Sequence, residues 1–116
     1  MAHYEHLPIY KQAMDLTVYF ENIVRNFSRY NKYTLGSDLR KTSREVVSLI
    51  IKANSTRDKL PILHELRARL EDLKVLIRIS KEARAFSSFR SFQYAIEGTV
   101  SVSKQNEGWI KSLSRR

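Results

Sequence analysis

Apolar residues recur along this chain at alternating steps of four and three, in four successive runs. The first run is Ile9, Ala13, Leu16, Phe20, Ile23 and Phe27, and the second is Leu35, Leu39, Thr42, Val46, Leu49 and Ala53. Leu63, Leu66, Leu70, Leu73 and Ile77 make the third, and Phe92, Ile96, Thr99, Val102, Trp109 and Leu113 make a more broken fourth. Steps averaging about 3.5 residues keep a seam on one side of an α-helix and cannot keep to one face of a strand. The chain therefore reads as all-α, with four amphipathic helices over about residues 7–27, 34–54, 60–84 and 88–113.

Turn chemistry places the breaks. Ser28 and Asn31 offer side-chain hydrogen bonds that compete with helical pairing in the stretch 28–33, and Gly36 falls early in the second helix, where a weak helix former costs little. Asn54, Ser55 and Thr56 close the second helix. Pro61 suits the first turn of the third, where its missing N–H is not needed. Ser87 or Ser88 can cap the fourth helix. Short connections predict antiparallel neighbours, so residues 1–116 read as one antiparallel up-down-up-down four-helix bundle.

The 116 residues suffice to bury a core without staples, so the lack of cysteine removes nothing the fold needs. It excludes disulfides and thiolate metal sites. No segment approaches the roughly 18 uninterrupted apolar residues of a membrane span, and the first ten residues lack the pattern of a secretory signal. A cytoplasmic protein with no membrane partner is expected.

Charge is the second constraint. Twenty-one Lys and Arg face twelve Asp and Glu, a net charge of +9, and the isoelectric point is near 10.0. Residues 1–31 hold three basic and three acidic side chains, whereas 32–56, 57–85 and 86–116 each carry a surplus of three positive charges. Lys41, Arg44 and Lys52 share a side of the second helix. Arg67, Lys74, Arg78 and Lys81 form a stripe on the third, and Lys104, Lys111 and Arg115 one on the fourth. Such a run is often a solvated face neutralised by neighbours, as Glu71 can do for Arg67 and Lys74. Three stripes of one sign instead favour a polyanionic partner, bound with an affinity that falls steeply with salt.

Aromatic residues near these charges offer stacking surfaces. Tyr30 and Tyr33 flank Lys32 in the expected first loop and are candidates for contact with unpaired bases, whereas the helical spacing of Phe86, Phe89 and Phe92 suits a core. Catalysis finds no constellation. His3 and His6 lack a third ligand nearby, His64 stands alone, no Gly-rich phosphate loop exists, and the paired carboxylates of di-iron bundles are missing. The chain is expected to be neither an enzyme nor a binder of any cofactor or metal.

Particular residues resemble a known family. The run Lys32-Tyr33-Thr34-Leu35-Gly36 continuing to Leu39-Arg40, the earlier Tyr10-Lys11 and Asp15-Leu16, and the closing Gly108-Trp109-Ile110-Lys111-Ser112 are similar to the accessory variability determinant of diversity-generating retroelements. The middle, from Ile51 through Asn54, Arg57 and Asp58 to Leu73 and Arg78, resembles it too. The resemblance implies a four-helix bundle that assembles as a homopentamer, binds the retroelement reverse transcriptase, and associates with template RNA during mutagenic cDNA synthesis. It implies that the basic stripes carry these contacts, with Arg40, Lys41 and Arg44 first because they adjoin the matching run. An alternative remains in the scaffold-like bundles encoded in intervening sequences of bacterial rRNA genes, which share the Tyr10-Lys11 pattern. Those proteins carry an Asn-Ile-Ala-Glu-Gly run where this chain has Ile51-Lys52-Ala53-Asn54-Ser55.

Overall fold

A computed structural model describes residues 3–114. The four apolar runs become four long α-helices: α1 (Pro8–Ile23), α2 (Ser37–Ser55), α3 (Leu60–Glu82) and α4 (Phe89–Ser114). No strand occurs among the described residues. Each helix packs on its neighbours in sequence, and α1 closes the ring against α4. Tyr19, late in α1, donates to the Ser91 carbonyl early in α4 at 3.2 Å. Two turns earlier in α1, Gln12 accepts from Ser101, nearly three turns further along α4, at 2.9 Å.

The seam between the helices is the core. On α3, Leu63, Leu66, Leu70, Leu73 and Ile77 are each at most 1% exposed, and the expected lines of α1 and α2 are buried apart from the half-buried Ile23 and Leu35. On α4 the buried line differs from the expected one: it runs Ala95, Thr99, Val102, Asn106 and Ile110, leaving Phe92, Ile96, Trp109 and Leu113 half-buried at its margins. Asn106 is what the sequence disguised. Its Nδ2 donates to the Leu63 carbonyl of α3 at 3.1 Å, which lets a polar side chain occupy a core position. Val24 and Val47, which lie off the main seams, are also buried within the chain itself. Val75 and Ile79 remain exposed.

The connections depart most from expectation. The α-helical part of α1 stops at Ile23, a 3-10 turn follows over Val24–Asn26, and Phe27 is extended. Ser28 then caps a new helical turn, its Oγ accepting from the Asn31 N–H at 3.3 Å. A π-helical turn, Lys32–Gly36, leads from there straight into α2. The stretch expected to be a loop is therefore helical, because the serine that competes with helix interiors serves equally to start one.

Gly36 sits at the end of this turn, where α2 crosses the end of α1. A Cβ there would lie 2.5 Å from Val24 Cγ1 and 3.2 Å from the Asn31 carbonyl oxygen. Its φ of −63° is ordinary, so close approach, not backbone freedom, requires the glycine.

The other two connections satisfy helix ends. Lys59 Nζ donates to the carbonyls of Ala53, Asn54 and Thr56 at 2.9, 3.2 and 2.8 Å, placing a cation on the negative C-terminus of α2. Pro61 stands in the first turn of α3. The C-terminus of α3 closes in a Schellman motif, with Ala85 N–H donating to Ser80 O at 2.8 Å and Arg84 N–H to Lys81 O at 3.0 Å. The left-handed position of that motif, usually glycine, is held by Arg84 at φ 61°. Ser88 Oγ accepts from the Ser91 N–H at 3.1 Å and caps α4.

Replacing Gly36 with Ala forces a methyl group into the Val24 side chain, and overpacking of this kind costs about 1–3 kcal/mol. Urea unfolding of Gly36→Ala is expected to show a lower midpoint at unchanged slope.

Candidate nucleic-acid interface

The basic stripes arise because each helix turns its apolar line inward and so presents Lys and Arg outward. On α2, Arg40 and Arg44 lie four apart, on the side facing α1, and both grip Glu21 near the end of that helix. Arg40 Nη2 donates to the Glu21 backbone carbonyl at 2.8 Å, and its Nε lies 3.2 Å from Oε1. Arg44 Nε donates to Oε2 at 2.8 Å, and its Nη2 lies 2.5 Å from the same oxygen. One carboxylate is thus held by two guanidiniums, fixing the α1–α2 junction. Lys41 makes no such pair and lines a shallow depression between α2 and α3, shared with Arg44, Glu45, Glu65 and Arg69. Lys52 is exposed further along.

The α3 stripe is largely neutralised. Arg67 makes a two-pronged contact with Glu107 of α4, Nε to Oε2 at 2.8 Å and Nη2 to Oε1 at 2.7 Å. Hydrogen bonding from Arg67 holds the Glu107 carboxyl below its ordinary range, and the same bonds raise the Arg67 guanidinium. Lys74 pairs with Glu71 at 2.7 Å, so the expectation that Glu71 serves Lys74 holds, while Arg67 turns to another helix. Arg78 and Lys81 share Glu82 at 3.9 and 3.8 Å, and Lys81 Nζ also stands 5.0 Å above the Phe92 ring.

On α4, Lys104 and Lys111 are exposed, and Arg115 lies outside the described residues. Among the described residues no carboxylate comes within 4.0 Å of Lys41, Lys52, Lys104 or Lys111. The stripes therefore divide into cations engaged by carboxylates, of which Arg40, Arg44 and Arg67 reach across to another helix, and lysines that remain available. Tyr30 and Tyr33 present their rings to solvent, 77% and 70% exposed.

Two features escaped the helix-by-helix reading. Glu21 organises the first two arginines from 19 and 23 residues away, which no spacing along one helix reveals. Arg25, Arg29, Lys32, Arg84 and Arg90 lie at the connections and also have no carboxylate within that distance among the described residues. A search for stripes at helical spacing passes over them; a search for stretches without Asp or Glu finds them.

Geometry and surface together define a small basic helical-bundle protein, with no group of His, Cys, Asp or Glu side chains placed to hold a metal ion among the described residues. No helix of the described residues is long and apolar enough to cross a membrane. The family model described as bAvd-like matches residues 7–113, and the chain belongs to that family. The resemblance to the accessory variability determinant carried by Lys32–Gly36 and Gly108-Trp109 is thereby borne out. A comparison with curated proteins finds no match.

Because the Glu107 carboxyl is held below its ordinary range in the fold, its contribution to stability is present at neutral pH and is lost as pH falls through that lowered value. Glu107→Gln is accordingly expected to unfold more easily than the parent at pH 7. The gap between the two denaturation midpoints should close as the pH is taken below the ordinary carboxylate range.

Proposed function

We propose that this protein is a non-catalytic accessory protein of a diversity-generating retroelement, which binds the reverse transcriptase and the template RNA or cDNA to support mutagenic reverse transcription in the cytoplasm. The observation that carries this reading is membership of the bAvd-like family over nearly the whole chain. In that reading the protein acts as a homopentamer, as the family resemblance implies.

Electrostatics supports the nucleic-acid half. A net charge of +9 draws polyanions, and each phosphate neutralised by Lys or Arg releases condensed counterions. The available lysines, Lys41 and Lys52 on α2 and Lys104 and Lys111 on α4, are the side chains this reading assigns to phosphate. Arg40, Arg44 and Arg67 hold the helices together while still adding to the positive field. Reversing Arg40 or Arg44 would set a second carboxylate beside Glu21 as well as remove a cation, so the test is made at the lysines.

Binding of labelled template RNA across a salt series should give a linear log–log plot with a slope of about −0.7 per phosphate contact on a single strand. Substituting Lys41, Lys52, Lys104 and Lys111 together by Glu should lower affinity roughly tenfold or more at low salt and flatten the slope, while the thermal midpoint stays near that of the parent. Absence of RNA and DNA binding even at low ionic strength would remove the nucleic-acid role and leave the scaffold alternative. Failure to co-purify with a reverse transcriptase encoded beside it would remove the enzyme-partner role.

A further inference from the structure

The sequence contains two long stretches without a carboxylate, and the fold puts them at the same end of the bundle. Between Glu21 and Asp38 lies the α1–α2 connection, and between Glu82 and Glu97 lies the α3–α4 connection; neither contains Asp or Glu. Together these thirty residues hold five cations, Arg25, Arg29, Lys32, Arg84 and Arg90, and seven of the chain's twelve aromatic residues. Scattered solubilising charge comes with interleaved acids; this does not.

Aromatic packing joins the two connections into one surface. Phe27 of the first meets Phe86 of the second edge-on at 5.7 Å, Phe86 meets Phe92 at 6.2 Å, and Phe92 meets Phe89 at 5.7 Å. The inner rings are buried or half-buried. The outer ones are not: Phe89 is 65% exposed, and Tyr30 and Tyr33 are more so. The four arginines are exposed around them. The bundle is 25 by 20 Å across, so both connections lie within reach of one short strand.

We propose that this end of the bundle is a platform for unpaired nucleic acid, on which Tyr30, Tyr33 and Phe89 stack against bases while the unpaired cations around them hold the adjoining phosphates. Open aromatic faces match the π-faces of splayed bases, which a duplex keeps stacked inside, and cations without acids match the phosphates between them. An acidic protein surface would satisfy the cations but would leave three exposed rings without a partner. The platform rests on the nucleic-acid reading above and narrows it to single strands.

The test uses the full chain and three fluorescent probes: an oligouridylate about 12 nucleotides long, within the site sizes of known stacking platforms, an abasic strand with the same number of phosphates, and a blunt RNA duplex. The parent protein is expected to bind the oligouridylate most tightly. Tyr30→Leu, Tyr33→Leu and Phe89→Leu together, the last keeping apolar bulk against Phe92, should weaken oligouridylate binding about 5- to 30-fold. Binding of the abasic strand and the duplex, and the salt slope, should not change. Substituting Arg25, Arg29, Arg84 and Arg90 by Gln should weaken all three probes and flatten the slope.

Equal binding of oligouridylate and abasic strand by the parent, or an aromatic variant that binds oligouridylate as the parent does, overturns the platform and leaves the accessory reading standing. A loss of assembly mass in the aromatic variant by light scattering also overturns it, because the rings would then belong to contacts between copies. If the parent binds no probe at low ionic strength, the nucleic-acid reading itself fails.

Discussion

Leu63, Leu66, Leu70, Leu73 and Ile77 form one line down α3, and nearly every other feature follows from the need to keep that line dry. A single helix cannot cover its own apolar side, so α2 and α4 pack against α3, and α1 closes the ring between them. Burial of each such side chain is worth about 1.5–3 kcal/mol, far more than any surface ion pair supplies. The apolar line therefore sets the rotation of each helix, and the charges take whatever positions that rotation leaves.

Those positions give the cations two different fates. Where rotation brings an arginine beside a carboxylate of the next helix, as for Arg40 and Arg44 at Glu21 or Arg67 at Glu107, the positive charge becomes part of the bundle's construction. Where, among the described residues, no carboxylate comes within 4.0 Å, as for Lys41, Lys104 and the arginines of the two acid-free connections, it remains a source of attraction for anions. The accessory reading depends on the second group. Net charge sets the long-range field, but contact with a phosphate needs a cation that is not already engaged.

Much of the fold was legible in the sequence. The four-and-three spacing located all four helices, Pro61 marked the start of the third, and of the two candidate caps Ser87 and Ser88 the structure uses Ser88 for the fourth. The fourth seam was legible only in part, since a hydrophobic pattern cannot know that Asn106 finds a carbonyl in α3. The 28–33 stretch reads as a loop because a serine that competes with a helix interior is also a helix N-cap, and Ser28 serves here as the cap. Of the candidate site, the identity of the basic residues was visible and their engagement was not. Arg44 and Lys41 look alike in a string of letters, and only the position of Glu21 separates them.

The sequence by itself determined the helical class, the number of long helices, the excess of positive charge and the family, because periodicity, composition and a recognisable run of residues are all local or additive properties. Tertiary structure decided which cations are spent, why Gly36 is glycine, and that two connections far apart in the chain share one aromatic, acid-free end. Each of these depends on partners distant in sequence: Arg67 and Glu107 are 40 residues apart, Asn106 and Leu63 are 43. The angle at which each helix turns its dry side inward fixes such pairs, and that angle is settled by all four helices packing at once.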